Sequence, residues 1–245
     1  AIASQQVSAN LITNGDFEDV TPNQQGLAFD RFLADLGSPV FDVYSQYDTY
    51  STLAGWQTLF GFGIEVQHTS SAVATLLKRD QHGSDFSGNG NLYVELDTEN
   101  PDGGENPIGG EEANSGIFQE LTNLTIGQTY DLSFWYLSRT GTIDDNGIDV
   151  YWGNTLDANV LAPSTIGHVD LEQTASVNNF QNWTKYSFLL TATHSEMKVG
   201  FGATGLQNEE GGLIDNVSLV AVPEPTTLVL FLGGLLGLGL RRKHS

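Results

Sequence analysis

The 245-residue chain carries 30 acidic and 9 basic residues, which gives a formal net charge of −21 at pH 7. A surface this acidic repels phosphate backbones, so nucleic acid is excluded as a partner. The chain has no cysteine, which excludes a disulfide framework, thiolate zinc sites and cysteine catalysis.

The chain begins with Ala1, Ile2 and Ala3 rather than with methionine. A small-x-small triplet is typical of the residues around a signal-peptidase site. We therefore interpret residues 1–9 as the segment that remains after removal of a signal peptide, the alternative being an arbitrary boundary of the sequence. Removal of a signal peptide predicts export from the cytoplasm.

Short segments in which apolar and polar residues alternate recur throughout residues 10–222. They lie at 91–97, 130–137, 147–152, 184–192, 197–203 and 213–220. Alternation with a period of two indicates strands that bury one face, and clusters of Gly, Asn and Asp between them indicate turns. Strands at regular spacing without a long helical repeat predict one all-β domain over residues 10–222, an antiparallel β-sandwich or jelly roll.

Two segments depart from this pattern. Residues 27–36 have helical spacing, which predicts a short helix that ends before Pro39. Residues 98–115 are acidic and rich in Gly and Asn, which predicts a loop with little core. We interpret residues 27–50 and 98–115 as additions to a minimal β-sandwich.

The ends and the middle of this domain carry recognisable motifs. Residues 10–18 (NLITNGDFE) open it and residues 212–219 (GLIDNVSL) close it, while the middle contains segments 93–97, 115–119 and 127–136. Together these segments resemble the galactose-binding-like jelly roll of carbohydrate-binding modules of families 4, 9 and 22. The resemblance spans most of residues 10–220, and it implies that the first and last strands lie together.

The same resemblance implies a structural Ca²⁺ ion where the first and last strands meet. It carries Glu18 and Asp215 over as ligands, with Asn14 and Asp16 as further candidates. Calcium takes about six to eight oxygen ligands, which two carboxylates and nearby backbone carbonyls can supply. The alternative is that these residues cap turns and form hydrogen bonds at strand ends.

Residues 144–149 (DDNGID) also have the composition of a calcium loop. They lack the Asp-x-Asp-x-Asp-Gly spacing and the downstream glutamate of an EF-hand. An ordinary hairpin turn is therefore the favoured interpretation of this segment.

Tryptophan side chains are candidates for stacking on sugar rings because they offer a large flat surface. They occur at positions 56, 135, 152 and 183. Trp135 lies in an apolar strand and Trp56 at the start of another, which favours core packing for both. Tyr151 and Trp152 are adjacent in a strand, so they face opposite sides and one of them is expected to be more exposed. The sequence assigns no aromatic residue to a ligand.

Recognisable catalytic motifs are missing from the sequence. The histidines at 68, 82, 168, 194 and 244 lack metal-binding spacing, and there is no Gly-x-Ser-x-Gly elbow. Among 30 acidic residues a glycosidase-like pair can always be chosen, so such a choice carries no weight. We predict that the protein is not an enzyme and that it has no catalytic residues.

The C-terminal end comprises a Pro-Glu-Pro segment, an uncharged apolar run over 226–240 and a basic cluster. As a helix, the run has a length of about 22 Å against roughly 30 Å for a bilayer core. Four glycines at 233, 234, 237 and 239 weaken it further, so it is marginal as a permanent span. The basic cluster is expected to stay in the cytoplasm, which places the rest of the chain outside.

This order of elements, over residues 223–245, resembles the PEP-CTERM sorting signal. The matching residues are Pro223, Glu224 and Pro225, then the short hydrophobic helix, then Arg241 and Arg242. The resemblance implies an exosortase-type processing enzyme as a partner, transient insertion of the tail into the inner membrane, and cleavage near the Pro-Glu-Pro motif. An ordinary membrane anchor is the alternative.

These observations predict an exported, non-catalytic β-sandwich protein of the cell surface, the outer membrane or an extracellular matrix, in the context of biofilm or exopolysaccharide. A carbohydrate-binding module for extracellular polysaccharide is the alternative, and a glycan hydrolase is a more distant one. Three of the nine basic residues and one of the 30 acidic residues follow residue 222, so residues 1–222 carry a formal charge of −23.

If the tail is processed as its motif implies, protein extracted from its native cell surface lacks the residues beyond the cleavage point. Intact-mass measurement is expected to show a C-terminus close to Pro225. A mass that still includes Arg241 through Ser245 would contradict processing.

Overall fold

The computed structural model describes residues 9–20, 47–50, 52–68, 92–98, 114–141, 145–170, 183–207 and 211–223. The predicted helix at 27–36, most of the 98–115 loop and the apolar run at 226–240 lie outside these ranges. In the part of the chain that is described, no helix is long and apolar enough to cross a membrane.

The described residues form two antiparallel six-stranded sheets and one short 3-10 helix at Ala162–Ser164. The strands are β1 Tyr47–Tyr50, β2 Thr52–Leu53, β3 Trp56–Phe60, β4 Ile64–His68, β5 Leu92–Glu95, β6 Gly116–Leu121, β7 Thr129–Ser138, β8 Gly147–Gly153, β9 Thr165–Val169, β10 Thr184–Thr191, β11 Met197–Thr204 and β12 Gly212–Ala221. Sheet A has the order β1-β4-β5-β12-β7-β10, and sheet B has the order β2-β3-β6-β11-β8-β9.

From β5 onwards the chain passes between the sheets at every connection except β8–β9. This alternation is the topology of a jelly roll, so the predicted all-β antiparallel sandwich is confirmed. The segments predicted from their alternating pattern correspond to β5, β7, β8, β10, β11 and β12.

The core lies between the two sheets, and strand alternation decides which side chains reach it. In β7, the core residues are Tyr130, Leu132, Phe134 and Tyr136, and the residues between them lie on the outer side of sheet A. In a half-buried strand, the positions of the apolar residues therefore determine which side of the strand faces the core, because every second residue must be apolar.

A chain of aromatic rings links the N-terminal segment to both sheets. The Phe17 and Trp56 ring centres are 5.5 Å apart, those of Trp56 and Phe201 are 6.2 Å apart, and those of Phe201 and Phe134 are 4.9 Å apart. The indole Nε1 of Trp56 donates a hydrogen bond to the backbone oxygen of Asn14 at 3.0 Å. The buried indole thus fixes the N-terminal turn to the core.

The N-terminal segment lies beside the last strand, as the family resemblance implied. Leu11 N donates to Leu219 O at 2.9 Å, and Val217 N donates to Gly15 O at 2.8 Å. These bonds place residues 14–18 next to the central part of β12, where the predicted metal ligands would have to meet.

Candidate functional site

The N-terminal turn that carries the predicted calcium ligands is closed by the amide of Asn14. Asn14 has a positive φ of 49°, its Oδ1 accepts a hydrogen bond from Asp19 N at 2.9 Å, and its Nδ2 donates to Asp19 O at 3.1 Å. Both ends of the Asn14 side chain therefore hold the turn. Asn14 therefore caps the turn, which is the role given above as the alternative to calcium binding.

The acidic candidates occupy different environments. Asp16 and Glu18 are exposed, and Glu18 Oε1 accepts a hydrogen bond from Leu92 N at 2.7 Å, which ties the turn to the start of β5. Asp215 is buried at the point where β12 and β7 shift register, and its Oδ1 accepts a hydrogen bond from Asn216 N at 2.5 Å.

Electrostatics connects these three carboxylates. Burial raises the pKa of Asp215 well above its usual range, the charges of Glu18 and Asp16 raise it further, and the hydrogen bond from Asn216 lowers it. Among the described residues, however, no group of three or more His, Asp or Glu side chains is placed to hold a metal ion. The three carboxylates are thus close enough to influence one another's charge, but they are not arranged as a set of metal ligands. Calcium binding stays a prediction.

The other predicted calcium loop is described only from Asp145 onwards. The Asn146 Oδ1 atom accepts hydrogen bonds from Arg139 N at 2.8 Å and Thr140 N at 3.0 Å, and Asp145 Oδ2 accepts one from Thr140 Oγ1 at 2.7 Å. These oxygens close the connection between β7 and β8. The connection is not a hairpin, because β7 and β8 lie in different sheets.

The four tryptophans are structural residues. Trp56, Trp135, Trp152 and Trp183 are between 0% and 9% exposed. The Trp152 side chain lies in the core, and its Nε1 donates to Thr191 O at 3.0 Å. Tyr151 does lie on the opposite side of β8, but it is only 3% exposed. Both members of this pair are therefore buried, and Trp152 is slightly the more exposed at 9%.

A second buried cluster, which the sequence did not reveal, lies on the outer side of sheet A. Glu65 on β4 and Glu95 on β5 are register partners, and both are buried. Gln67 Nε2 donates to Glu65 Oε1 at 2.9 Å and also to Glu95 Oε2. Arg139 forms an ion pair with Glu95, whose Oε1 also accepts a hydrogen bond from Gly211 N at 2.9 Å.

Aromatic and apolar side chains complete this cluster, and they are Tyr93, Trp135, Leu137, Trp183 and Leu213. The Tyr93 and Trp183 rings meet edge to face at 5.8 Å, and Tyr93 OH donates to Gln67 Oε1 at 3.3 Å. Breaking a buried ion pair typically costs about 3–5 kcal/mol, so these partners hold one another in place. The outer side of sheet A therefore carries a second buried core around Glu95.

The outer side of sheet B has a different character, because glycines replace side chains on two neighbouring strands. Gly116 on β6 pairs with Gly202 on β11, and Gly200 follows on the same side. A Cβ atom at Gly202 would lie 2.6 Å from Phe60 Cζ and 3.0 Å from Tyr151 Cε2. The two rings thus rest directly on the sheet backbone, where only glycine leaves room for them.

We call Phe60, Phe118 and Tyr151 the aromatic strip. Phe60 and Phe118 are half-buried, so part of each ring faces solvent. Burial, with a contribution from the charge of Asp149, raises the pKa of Tyr151 to about 12. The Tyr151 hydroxyl therefore stays protonated at neutral pH.

A salt bridge and a His–Asp hydrogen bond border the aromatic strip on two sides. The Lys198 Nζ atom lies 4.7 Å from the centre of the Phe118 ring and 2.9 Å from Glu120 Oε1. On the other side, His168 Nδ1 lies 2.8 Å from Asp149 Oδ1. A cleft of about 190 Å³ adjoins the first pair and is also lined by Asn154 and Glu196, among others. The aromatic strip is therefore a set of flat rings edged by hydrogen-bonding groups.

The sorting motif begins where the fold ends. Val222 N donates to Thr129 O at 2.9 Å, and Gln128 Nε2 donates to Val222 O at 2.6 Å. Pro223, the next residue, is exposed. The remaining predicted sorting residues, which are Glu224, Pro225, Arg241 and Arg242, lie outside the described ranges.

Comparison with known protein families supports the interpretation of the tail. Residues 221–243 match the PEP-CTERM protein-sorting motif. The predicted sorting signal is thereby confirmed, and it implies export, membrane-associated sorting and processing by an exosortase.

The body of the chain is similar to segments of two curated proteins. The multifunctional-autoprocessing repeats-in-toxin of Vibrio vulnificus is 23% identical over 206 residues, which is 84% of this chain. The toxin of the same name from Vibrio cholerae serotype O1 is 25% identical over 222 residues, which is 88% of this chain. The chain spans only 3% and 4% of the lengths of these relatives.

Solved structures with a similar backbone include carbohydrate-binding modules. TmCBM61 in complex with β-1,4-galactotriose is 14% identical, with 88% of this chain and 100% of that chain covered and a TM-score of 0.41. A CBM4 structure is 14% identical, with 86% and 99% covered and a TM-score of 0.36. The Stig cyclase Fisc from Fischerella sp. TAU is 17% identical, with 90% and 100% covered and a TM-score of 0.49.

The aromatic strip was not predicted, although its signal is present in the sequence. Gly116 precedes Phe118 by two positions, and Gly200 and Gly202 are also two positions apart. Glycine at alternate positions of a strand indicates that another group approaches the backbone closely. The partner strand that makes this pattern meaningful is not readable from either segment alone.

The raised pKa of Asp215 predicts a measurable pH dependence. The folded protein binds this proton more tightly than the unfolded chain, so the stabilisation is complete below the ordinary value of 3.8 and is lost as pH rises through the folded-state pKa. In chelator at pH 7, Asp215→Asn is therefore expected to raise the melting temperature, and the gain should vanish below about pH 4. Thermal denaturation across pH measures it, with Glu196→Gln at an exposed position as the control. A variant that melts below the wild type at pH 7 would contradict the burial penalty.

Proposed function

We propose that this exported protein is a non-catalytic polysaccharide-binding protein of the cell surface, and that the aromatic strip on sheet B is its contact surface. The observation that carries the proposal is the pair of half-buried rings, Phe60 and Phe118, which lie on a glycine-lined part of the sheet. A sugar ring presents an apolar face and a polar edge, so it requires a flat apolar surface beside hydrogen-bonding groups.

The groups that border the strip meet the second requirement. The Lys198–Glu120 and Asp149–His168 pairs offer both donors and acceptors at the edges of the rings. Exposed pairs of this type contribute little free energy, so each side chain can give up its partner and form a hydrogen bond with a sugar hydroxyl instead. The rings lie along the outer side of a sheet, which suits a long polymer better than a small molecule.

The proposal of a non-catalytic role is supported by the state of the buried acids. Glu95 is held by Gln67, Arg139 and Gly211, and its register partner Glu65 is held by Gln67. Carboxylates fixed in this way serve the fold. Incubation with extracellular polysaccharide should release no reducing ends, and turnover that is lost on changing one specific carboxylate would overturn this part of the proposal.

The location follows from the sorting motif and the charge. A motif that directs membrane-associated sorting, joined to an acidic body, fits a protein that is displayed on the cell surface or released into an exopolysaccharide matrix. An anionic polymer would be repelled by this charge, so we expect a neutral polysaccharide as the ligand.

Binding to polysaccharide is expected to depend on Phe118. In affinity gel electrophoresis with exopolysaccharide of the native host, Phe118→Ala should bind roughly tenfold more weakly, because one aromatic contact of about 1.4 kcal/mol is lost. Phe118→Trp should retain binding.

The matched control is Leu189→Ala, which removes an exposed apolar side chain from β10 in sheet A, the sheet that does not carry the strip. Equal retardation of wild type and Phe118→Ala, with unchanged melting temperatures, would show that the strip is not the contact surface.

We also propose that Ca²⁺ binds between the N-terminal turn and β12. The support is the convergence of the Asp16 and Glu18 charges on buried Asp215, whose ionised form a cation would stabilise. Calcium is expected to raise the melting temperature of the wild type above its value in chelator, and Asp215→Asn should lose this response. An unchanged melting temperature, together with no heat of binding in calorimetry, would rule the site out.

A further inference from the structure

The folded domain and the sorting motif are joined without a linker. Val222 is still hydrogen-bonded to Thr129 and Gln128, while the motif match begins at residue 221. The body of the protein therefore cannot move far from its tail while the tail is in use.

Chain geometry sets the distance between the domain and the membrane. From Val222 to Thr226, where the apolar run begins, the chain makes four steps of at most about 3.6 Å each, which is roughly 14 Å. The headgroup layer on one side of a bilayer is itself about 5–8 Å thick. When the apolar run is inserted, the end of the sandwich that contains Val222 must lie at or just above the headgroups.

This end of the sandwich exposes large apolar side chains. Leu189 on β10 is 73% exposed, and Ile126 in the connection before β7 is 66% exposed. Two contacts place them near the exit of the chain. Leu189 and Val220 are both register partners of Asp131, and Gly127 N donates to Ala192 O at 2.8 Å.

The surroundings of these side chains limit how deep they can go. Asp131, between Leu189 and Val220, is half-buried, and Glu196 in the β10–β11 turn is exposed. Carboxylates tolerate the hydrated headgroup layer but not the hydrocarbon core. Isolated Leu and Ile side chains flanked by polar groups fit the interfacial layer.

We propose that Ile126 and Leu189 form an exit patch that rests in the lipid headgroup layer while the tail is inserted. The sandwich would then stand on the membrane and hold Pro223–Pro225 at the membrane surface, where a membrane-embedded processing enzyme can reach it. This inference rests on the sorting function of the tail and is independent of polysaccharide binding.

The absence of cysteine from the chain makes a direct test possible, since each introduced cysteine is a unique labelling site. Ile126→Cys, Leu189→Cys, Leu206→Cys and Leu232→Cys are labelled with a fluorophore in the full chain. The host used for expression lacks the processing enzyme. The proteins are reconstituted in vesicles of equal parts phosphatidylethanolamine and phosphatidylglycerol, with nitroxide-labelled lipids as quenchers.

Leu206 is the matched control because it is 54% exposed and follows the end of β11, whose last residue pairs with Gly147 on the side of the sandwich away from Val222. Headgroup nitroxides should quench the labels at 126 and 189 several-fold more than the label at 206. Nitroxides at the bilayer centre should quench the label at 232.

Each remaining outcome overturns the proposal in a distinguishable way. Quenching at 232 with no difference among 126, 189 and 206 means that the sandwich does not touch lipid. No quenching at 232 means that the tail is not inserted, which removes the premise. In a further set of vesicles, the processing enzyme is added. If the labels at 126 and 189 are quenched more than the label at 206 only in these vesicles, the patch contacts the enzyme instead of lipid.

Discussion

The position of the last strand in the middle of sheet A holds the rest of the structure together. β12 pairs with β7 along most of its length, with β5 through Leu213 and Ile214, and with the N-terminal segment through Leu219 and Val217. Without it, β1, β4 and β5 would be separated from β7 and β10, and the backbone groups of β5 and β7 that face β12 would lose their partners. The same strand carries Asp215 and delivers the chain to the sorting motif, so the integrity of the fold, the acidic site and the tail are linked through one element.

The outer sides of the two sheets differ in how far their charged and aromatic groups are buried. The outer side of sheet A buries charged and aromatic groups in a second core around Glu95, so this part of the sheet is closed to a partner. The outer side of sheet B keeps Phe60 and Phe118 half-buried and its ion pairs accessible. All four indoles are buried, as are the rings of Phe17, Phe134 and Phe201, whereas Phe60 and Phe118 are only half-buried. The proposal that sheet B contacts the ligand rests on this difference in burial.

The sequence predicted correctly those strands whose burial pattern is visible within a single short segment. Alternation in segments such as 130–137 predicts a half-buried strand because the period of two is a property of the strand itself. The sorting tail was recognised for the same reason, since its three elements are contiguous. Features that depend on register between distant segments were missed: Glu65 meets Glu95 only through the pairing of β4 with β5, and Gly116 meets Gly202 only through the pairing of β6 with β11. The burial of Asp215 likewise arises from a register shift that no local pattern encodes.

Complete burial of the tryptophans has a consequence for the optical behaviour of this protein. All four indoles lie between 0% and 9% exposed, and none belongs to the aromatic strip. Their emission should therefore be that of an apolar, water-shielded environment, and it reports whether the two cores are intact. A polymer lying across Phe60 and Phe118 would leave that signal unchanged. Intrinsic fluorescence therefore monitors the folding of this sandwich but does not report whether a polymer is bound to the aromatic strip.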